Sequence, residues 1–271
     1  MTIVQTFKNL RAIARLHDDG SVTADGHPTY GGNSRAVQHL LTAVKTIAAT
    51  GCAFAALKAD GTVVTWGDPE WGGNSSTVQN QLKNVNTLFN TTNAFAALKA
   101  NGTIVTWGHP YYGGDSSTVQ HLLTAVTTIA ATSLAFAALK ADGTVVTWGS
   151  YQDGGDSSAV QHLLKDVTEL FSTDDAFATL KADGTVVAWG HPIAGGDSST
   201  VQDLLTAVKT ITATNYAFAA LKTDGTVITW GDANFGGNSS AVQNDLINIQ
   251  SIIAHKDGFT AIKTNGTQIS W

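Results

Sequence analysis

A glycine returns every 41 residues along this chain, at Gly20, Gly61, Gly102, Gly143, Gly184, Gly225 and Gly266. Five residues after each of the last six stands a tryptophan: Trp66, Trp107, Trp148, Trp189, Trp230 and Trp271. Asp25 holds that place in the first copy. A register that never slips is incompatible with loops of free length. Each unit must be one structural module whose neighbours are copies of itself.

The second unit shows what the module contains. TIAAT (46–50) and AFAALKA (53–59) are short apolar runs, and TVVTWG (62–67) is rich in β-branched residues. All three read as strands. Asp60-Gly61 is a tight hairpin signal of the type I′ kind, in which both central residues take positive φ. Gly72-Gly73 and Asn74-Ser75-Ser76 then break the chain. Ser76 and Gln79 have capping-box spacing. Val78 and Leu82 are four residues apart, which predicts a short helix, with a fourth outer strand as the alternative.

Charged residues are 13% of the 271, against about 25% in an average domain. So few charges mean that most strands are covered on both faces. Three or four antiparallel strands per ~40 residues, stacked in series, is the signature of a propeller. The expectation is an all-β chain forming one domain, 1–271, a seven-bladed β-propeller. Its last unit lacks the final 16 residues of the repeat. The first unit is the most degenerate, with Arg15 in place of an alanine and Asp25 in place of the tryptophan.

Other classes are disfavoured. The net charge is −6 and only three arginines occur, Arg11, Arg15 and Arg35. No basic cluster tracks a phosphate backbone, so nucleic acid is not an expected partner. The single cysteine, Cys52, builds neither a disulfide framework nor a thiolate metal site. MTIVQTFKNLRAIARL has no apolar core of signal-peptide form, and no run is apolar for about 18 residues. The expected setting is therefore cytoplasmic, with no membrane span. No nucleophile elbow, phosphate loop or metal-spaced His/Cys set is present. The chain is expected to be no enzyme, to carry no cofactor or metal, and to be a monomer.

The segment VTTIAATSLAFAALKADGTVVTWG (126–149) resembles the RCC1 repeat: an apolar V..I, a small-residue strand, then alt.dG.v..WG. The resemblance covers units two to six fully, and units one and seven more weakly. It implies a seven-bladed propeller of RCC1-like repeats. It also implies protein partners, with a Ran-like small GTPase among them and guanine-nucleotide exchange or a bacterial-effector role as the associated activities. The departures bear on function. Thr50 and Ala53 replace the family's Gly and His before the second strand. Gly-Gly-Asn/Asp-Ser-Ser replaces GQLG after the third. No unit has room for the insertion that acts as the family's exchange wedge, so no exchange residue carries over.

Variation between units is concentrated in two windows, while scaffold positions barely change. One is the two-residue loop between strands one and two, such as Gly51-Cys52 and Asp174-Asp175. The other follows the Trp-Gly pair, such as Asp68-Pro69-Glu70-Trp71 and Ser150-Tyr151-Gln152-Asp153. In an up-down-up blade both windows fall on one side and the Asp-Gly hairpin on the other. All five tyrosines lie in these windows, as does Trp71, the one tryptophan outside the repeated position. The candidate partner-binding residues are Glu70, Trp71, Tyr111, Tyr112, Tyr151, Asp153, Asp174, Asp175, Tyr216, Asp232 and Phe235. Large aromatic side chains supply contact area at low entropic cost. An acidic, aromatic surface suits a basic protein or, alternatively, a glycan held by a multivalent lectin.

Several repeated features read as architecture instead. The aromatic before each Gly-Gly (Tyr30, Trp71, Tyr112, Phe235) suits packing at the blade junction. Asn and Asp exchange freely at positions 33, 74, 115, 156, 197 and 238, which suits a turn cap better than calcium. His39, His121 and His162, one per unit, are too far apart for a metal. His27, His109 and His191 read as turn residues, and the six lysines beside the Asp-Gly turns as a solvated rim.

Overall fold

The computed structural model describes residues 2–271, among which twenty-one strands form seven three-stranded sheets. Strand order in every sheet follows the chain, so each blade is an up-down-up meander. Blade 1 comprises Ile3–Lys8, Ala12–His17 and Val22–Gly26; blade 2, Val44–Ala49, Ala53–Lys58 and Val63–Gly67; blade 3, Val85–Asn90, Ala94–Lys99 and Ile104–Gly108. Blade 4 comprises Val126–Ala131, Ala135–Lys140 and Val145–Gly149; blade 5, Val167–Ser172, Ala176–Lys181 and Val186–Gly190. Blade 6 comprises Val208–Ala213, Ala217–Lys222 and Val227–Gly231; blade 7, Ile249–Ala254, Phe259–Lys263 and Gln268–Ser270.

The chain falls into two compact units. The first runs to Phe136 and takes in Trp148–Ser150; the second is Ala137–Thr147 with Tyr151–Trp271. In the first, Ala53, Ala55 and Leu57 of blade 2 pack against Phe95, Ala97 and Trp107 of blade 3. In the second, Ala176, Ala178 and Leu180 of blade 5 pack against Phe218, Ala220 and Trp230 of blade 6. The middle strand AFAALK is thus buried on both faces, with the small alanines admitting the next sheet. Phe95 is fully buried and stacks on Trp107 at 5.2 Å. Burying one such ring contributes about 2–3 kcal/mol.

The repeated tryptophan joins consecutive blades. Trp107 Nε1 donates to Gly72 O at 3.0 Å, and Trp230 Nε1 to Gly195 O at 2.9 Å, each 35 residues back. Gly72 must be glycine. Its φ is +93°, and a Cβ there would stand 2.5 Å from the Phe95 ring.

Two local expectations are corrected and one alternative is decided. At the Asp-Gly hairpin only the glycine has positive φ, with Gly61 at +76°. Gly61 N donates to Lys58 O and Lys58 N to Thr62 O, which makes a type I turn with a glycine bulge, not type I′. Asp60 serves this turn by accepting from Thr62 N at 3.0 Å and Thr62 Oγ1 at 2.6 Å. Second, the segment after Gly-Gly holds the expected short helix, as a single 3-10 turn, Gln79–Gln81 in blade 2, and not the alternative fourth strand. Third, there is no capping box on Ser76. Asn74 Oδ1 accepts from Ser76 N at 2.9 Å, while Ser75 Oγ donates to Gln79 Oε1 at 2.8 Å.

That last contact explains the SSxVQ pattern. Gln79 Nε2 donates to Val63 O at 3.0 Å, and Thr65 Oγ1 bonds Ser75 Oγ at 2.9 Å. A side-chain chain therefore covers the outer edge of the third strand, where a fourth strand would otherwise pair. An open edge is an invitation to misassociation.

The lysines are also less solvated than expected. Lys58 and Lys140 are half-buried, with Nζ at 4.0 and 3.4 Å from Asp60 and Asp142. Among the described residues no helix is long and apolar enough to cross a membrane.

Candidate functional site

Both variable windows lie at the same end of the blade in blades 2, 3, 5 and 6, where a repeated threonine ties them together. Thr50 Oγ1 donates to Trp71 O at 2.9 Å and accepts from Ala53 N at 3.0 Å. Thr91 repeats this with Tyr112 O, Thr173 with Ala194 O, and Thr214 with Phe235 O. The threonines are buried. The windows can change sequence because their frame is held by backbone and threonine. The first windows also join one blade to the next: Gly51 N donates to Thr92 O at 2.7 Å in the first unit, and Asp174 N to Asn215 O at 2.8 Å in the second.

In the first unit the structure places Glu70 exposed and Trp71 half-buried. A Cβ on Gly51 would stand 2.9 Å from the Trp71 ring, so that glycine makes room for it. Tyr112 stacks on His109 at 4.4 Å, while Tyr111 is 79% exposed. Asp68 caps its turn, accepting from Glu70 N at 2.9 Å. Cys52 is buried and its thiol is pushed up by burial and then by Asp68, so its thiolate form is disfavoured.

In the second unit, blades 4, 5 and 6 bring Asp153, Asp174, Asp175 and Tyr216 together, all half-buried. Burial raises the Asp175 carboxyl above the ordinary range, with Asp153 and Asp174 adding repulsion and His191 opposing it. Burial also raises Asp174, against which the Asn215 side chain donates at 3.0 Å. Tyr216 is raised by burial and by the same two aspartates. Its ring meets Phe235 edge-on at 4.7 Å. Asp232 is committed locally, accepting from Asn234 N at 2.8 Å. Tyr151 stands 74% exposed at the start of its turn. The arrangement places negative charge in partial burial beside aromatic rings, a setting that rewards a cationic group brought by a partner.

The aromatics before Gly-Gly thus pack over the window of their own blade. Sequence reading missed the threonine ties, although a threonine at positions 50, 91, 132, 173 and 214 was a visible signal. It also missed Ile193 and Leu204, which are exposed aliphatic side chains.

Seven three-stranded meanders joined by a tryptophan at a fixed repeat position define an RCC1-type β-propeller fold. Solved structures agree. The ectodomain of the receptor kinase CR4 from Physcomitrella patens matches with TM-score 0.51 at 15% identity, over 98% of this chain and 72% of that one. Prp20p from Saccharomyces cerevisiae matches with TM-score 0.51 at 16% identity, over 92% of this chain and 74% of that one. Human WBSCR16 matches with TM-score 0.51 at 15% identity, over 85% and 76%. The Prp20p structure is described with its binding properties to Gsp1p and histones. No protein-family model matches this sequence, and no curated protein does.

Proposed function

We propose that the chain is a non-catalytic platform for a protein partner, engaged through the variable ends of its blades, inside the producing cell or a host cell. The observation that carries this reading is the division between a constant frame and its contents. Buried threonines, glycines and tryptophans hold blades 2 to 6, while the windows they hold vary in aromatic and acidic residues. Exposed Tyr111 and Tyr151 supply contact area, and Asp153, Asp174 and Asp175 supply charge. A partner presenting lysine or arginine would relieve the repulsion that raises the Asp175 carboxyl.

A Ran-like small GTPase is the first partner to try, since Prp20p shares the fold and is described as binding Gsp1p. The test is binding of a purified GTPase of that class by calorimetry, together with release of labelled nucleotide. Tyr111→Ala and Asp174→Ala are each expected to weaken binding by roughly tenfold, the scale of an interface hot spot. Binding unchanged in both variants would move the interface elsewhere. Clear binding on a glycan array, competed by millimolar free sugar, would replace the protein partner with a carbohydrate.

A further inference from the structure

Blades 5 and 6 leave between them a groove of about 870 Å³, and Asp232 is the one predicted site residue that lines it. One wall is the turn after blade 5, with Ile193, Asp197 and Leu204. The other is the outer strand of blade 6 and the turn after it, with Ile228, Asp232 and Asn238. No lysine, arginine or histidine lines it.

The repeat makes this junction distinctive. Ile193 is 65% exposed and Leu204 51% exposed. Glu70, Tyr111, Gln152 and Asn234 hold the Ile193 position in other units. Ile228 is half-buried where Val64, Val105, Val146 and Val187 are buried, so the larger side chain reaches into the groove. The hydrogen bonds from the Ser199 amide and hydroxyl keep the Asp197 carboxyl ionised, below its ordinary range. Aliphatic walls that each carry a carboxylate, with no cationic residue lining the groove, complement a ligand that pairs an apolar side chain with cationic ones. Sugar recognition fits less well: Trp230 is 3% exposed and offers no open ring face for stacking.

We propose that this groove binds an extended segment of a partner protein in which an aliphatic side chain is flanked by lysine or arginine. The site rests on the protein-binding reading and adds to it a second contact, built from the windows after blades 5 and 6 together with the outer strand of blade 6.

Labelled synthetic peptides carrying Leu or Ile flanked by Lys or Arg test this by fluorescence polarisation against the full chain. Control peptides carry Glu in place of the basic residues. The double variant Ile193→Ser with Leu204→Ser alters only exposed side chains and is expected to weaken basic-peptide binding by roughly tenfold. Asp197→Asn keeps the turn, since Asn238 Oδ1 accepts from Ser240 N at 3.0 Å in the same role. That variant is expected to weaken binding several-fold and to flatten its salt dependence. Affinity unchanged in the double variant, equal binding of the acidic controls, or binding of oligosaccharides but not peptides overturns the groove. Peptide binding lost in Tyr111→Ala but kept in the double variant also overturns it, while leaving the window that holds Tyr111 as a protein site. If no peptide binds and no protein partner depends on Tyr111, both readings fall.

Discussion

Two kinds of residue show how the frame is held. Thr91 is buried, accepts from Ala94 N at 2.9 Å and donates to Tyr112 O at 3.0 Å. Thr91→Val keeps the shape and strands both backbone groups. The expected loss is about 1–3 kcal/mol, read as a lower urea midpoint with unchanged slope. Ala125 takes positive φ, +53°, at the entry to blade 4, where blades 3 and 5 have Asn84 and Asp166. An alanine pays about 1–2 kcal/mol for that conformation, and asparagine tolerates it better. Ala125→Asn is therefore expected to raise stability by about 0.5–1 kcal/mol, measured by the same titration.

At the scale of the element, the edge-covering network is a repeated unit with natural omissions. In blades 3 and 6 it runs Thr106–Ser116–Gln120 and Thr229–Ser239–Gln243, with Thr–Ser contacts of 2.9 Å. Blade 5 has Ala188 at the threonine position, yet keeps Ser198 bonded to Gln202 at 2.8 Å and Gln202 to Val186 O at 2.9 Å. Ala188→Thr should complete the chain of bonds and add about 0.5–1 kcal/mol. A fall in the thermal midpoint would show that this edge has no room for the hydroxyl.

For the molecule as a whole, the two ends of the blades titrate in opposite senses. At the hairpin end, the Thr144 hydroxyl and amide hold Asp142 down at about 2, and Asp60, Asp183 and Asp224 are lowered for the same reason. Their contribution is present above the ordinary value of 3.8 and is lost as pH falls through their lowered values, about 2 for Asp142. At the variable end Asp174 and Asp175 are raised. The unfolded carboxyl ionises first, so a penalty on the folded chain grows as pH rises past 3.8 and is complete once the folded carboxyls have ionised. Stability should therefore rise as pH is lowered from neutral toward the carboxylate range, then fall in stronger acid. Asp175→Asn is expected to raise the neutral-pH melting temperature and flatten the upper limb. An unchanged pH profile in that variant would mean that Asp175 is solvated in the folded chain.

The sequence by itself determined the module. A fixed 41-residue step makes every unit the same short meander, of three strands or four, and β-branched and alanine-rich runs show which strands are covered on both faces. It also located the variable windows, because copies within one chain can be compared position by position. What only the tertiary structure decided was the work each polar residue does. Ser75, Gln79 and Thr65 are spread over the repeat, and nothing local to them shows that they close a strand edge. The partial burial that raises Asp175, and the groove between Ile193 and Ile228, arise from neighbouring blades. Pattern shows which residues can share a surface; desolvation and cavity shape depend on atoms that lie a full repeat away along the chain.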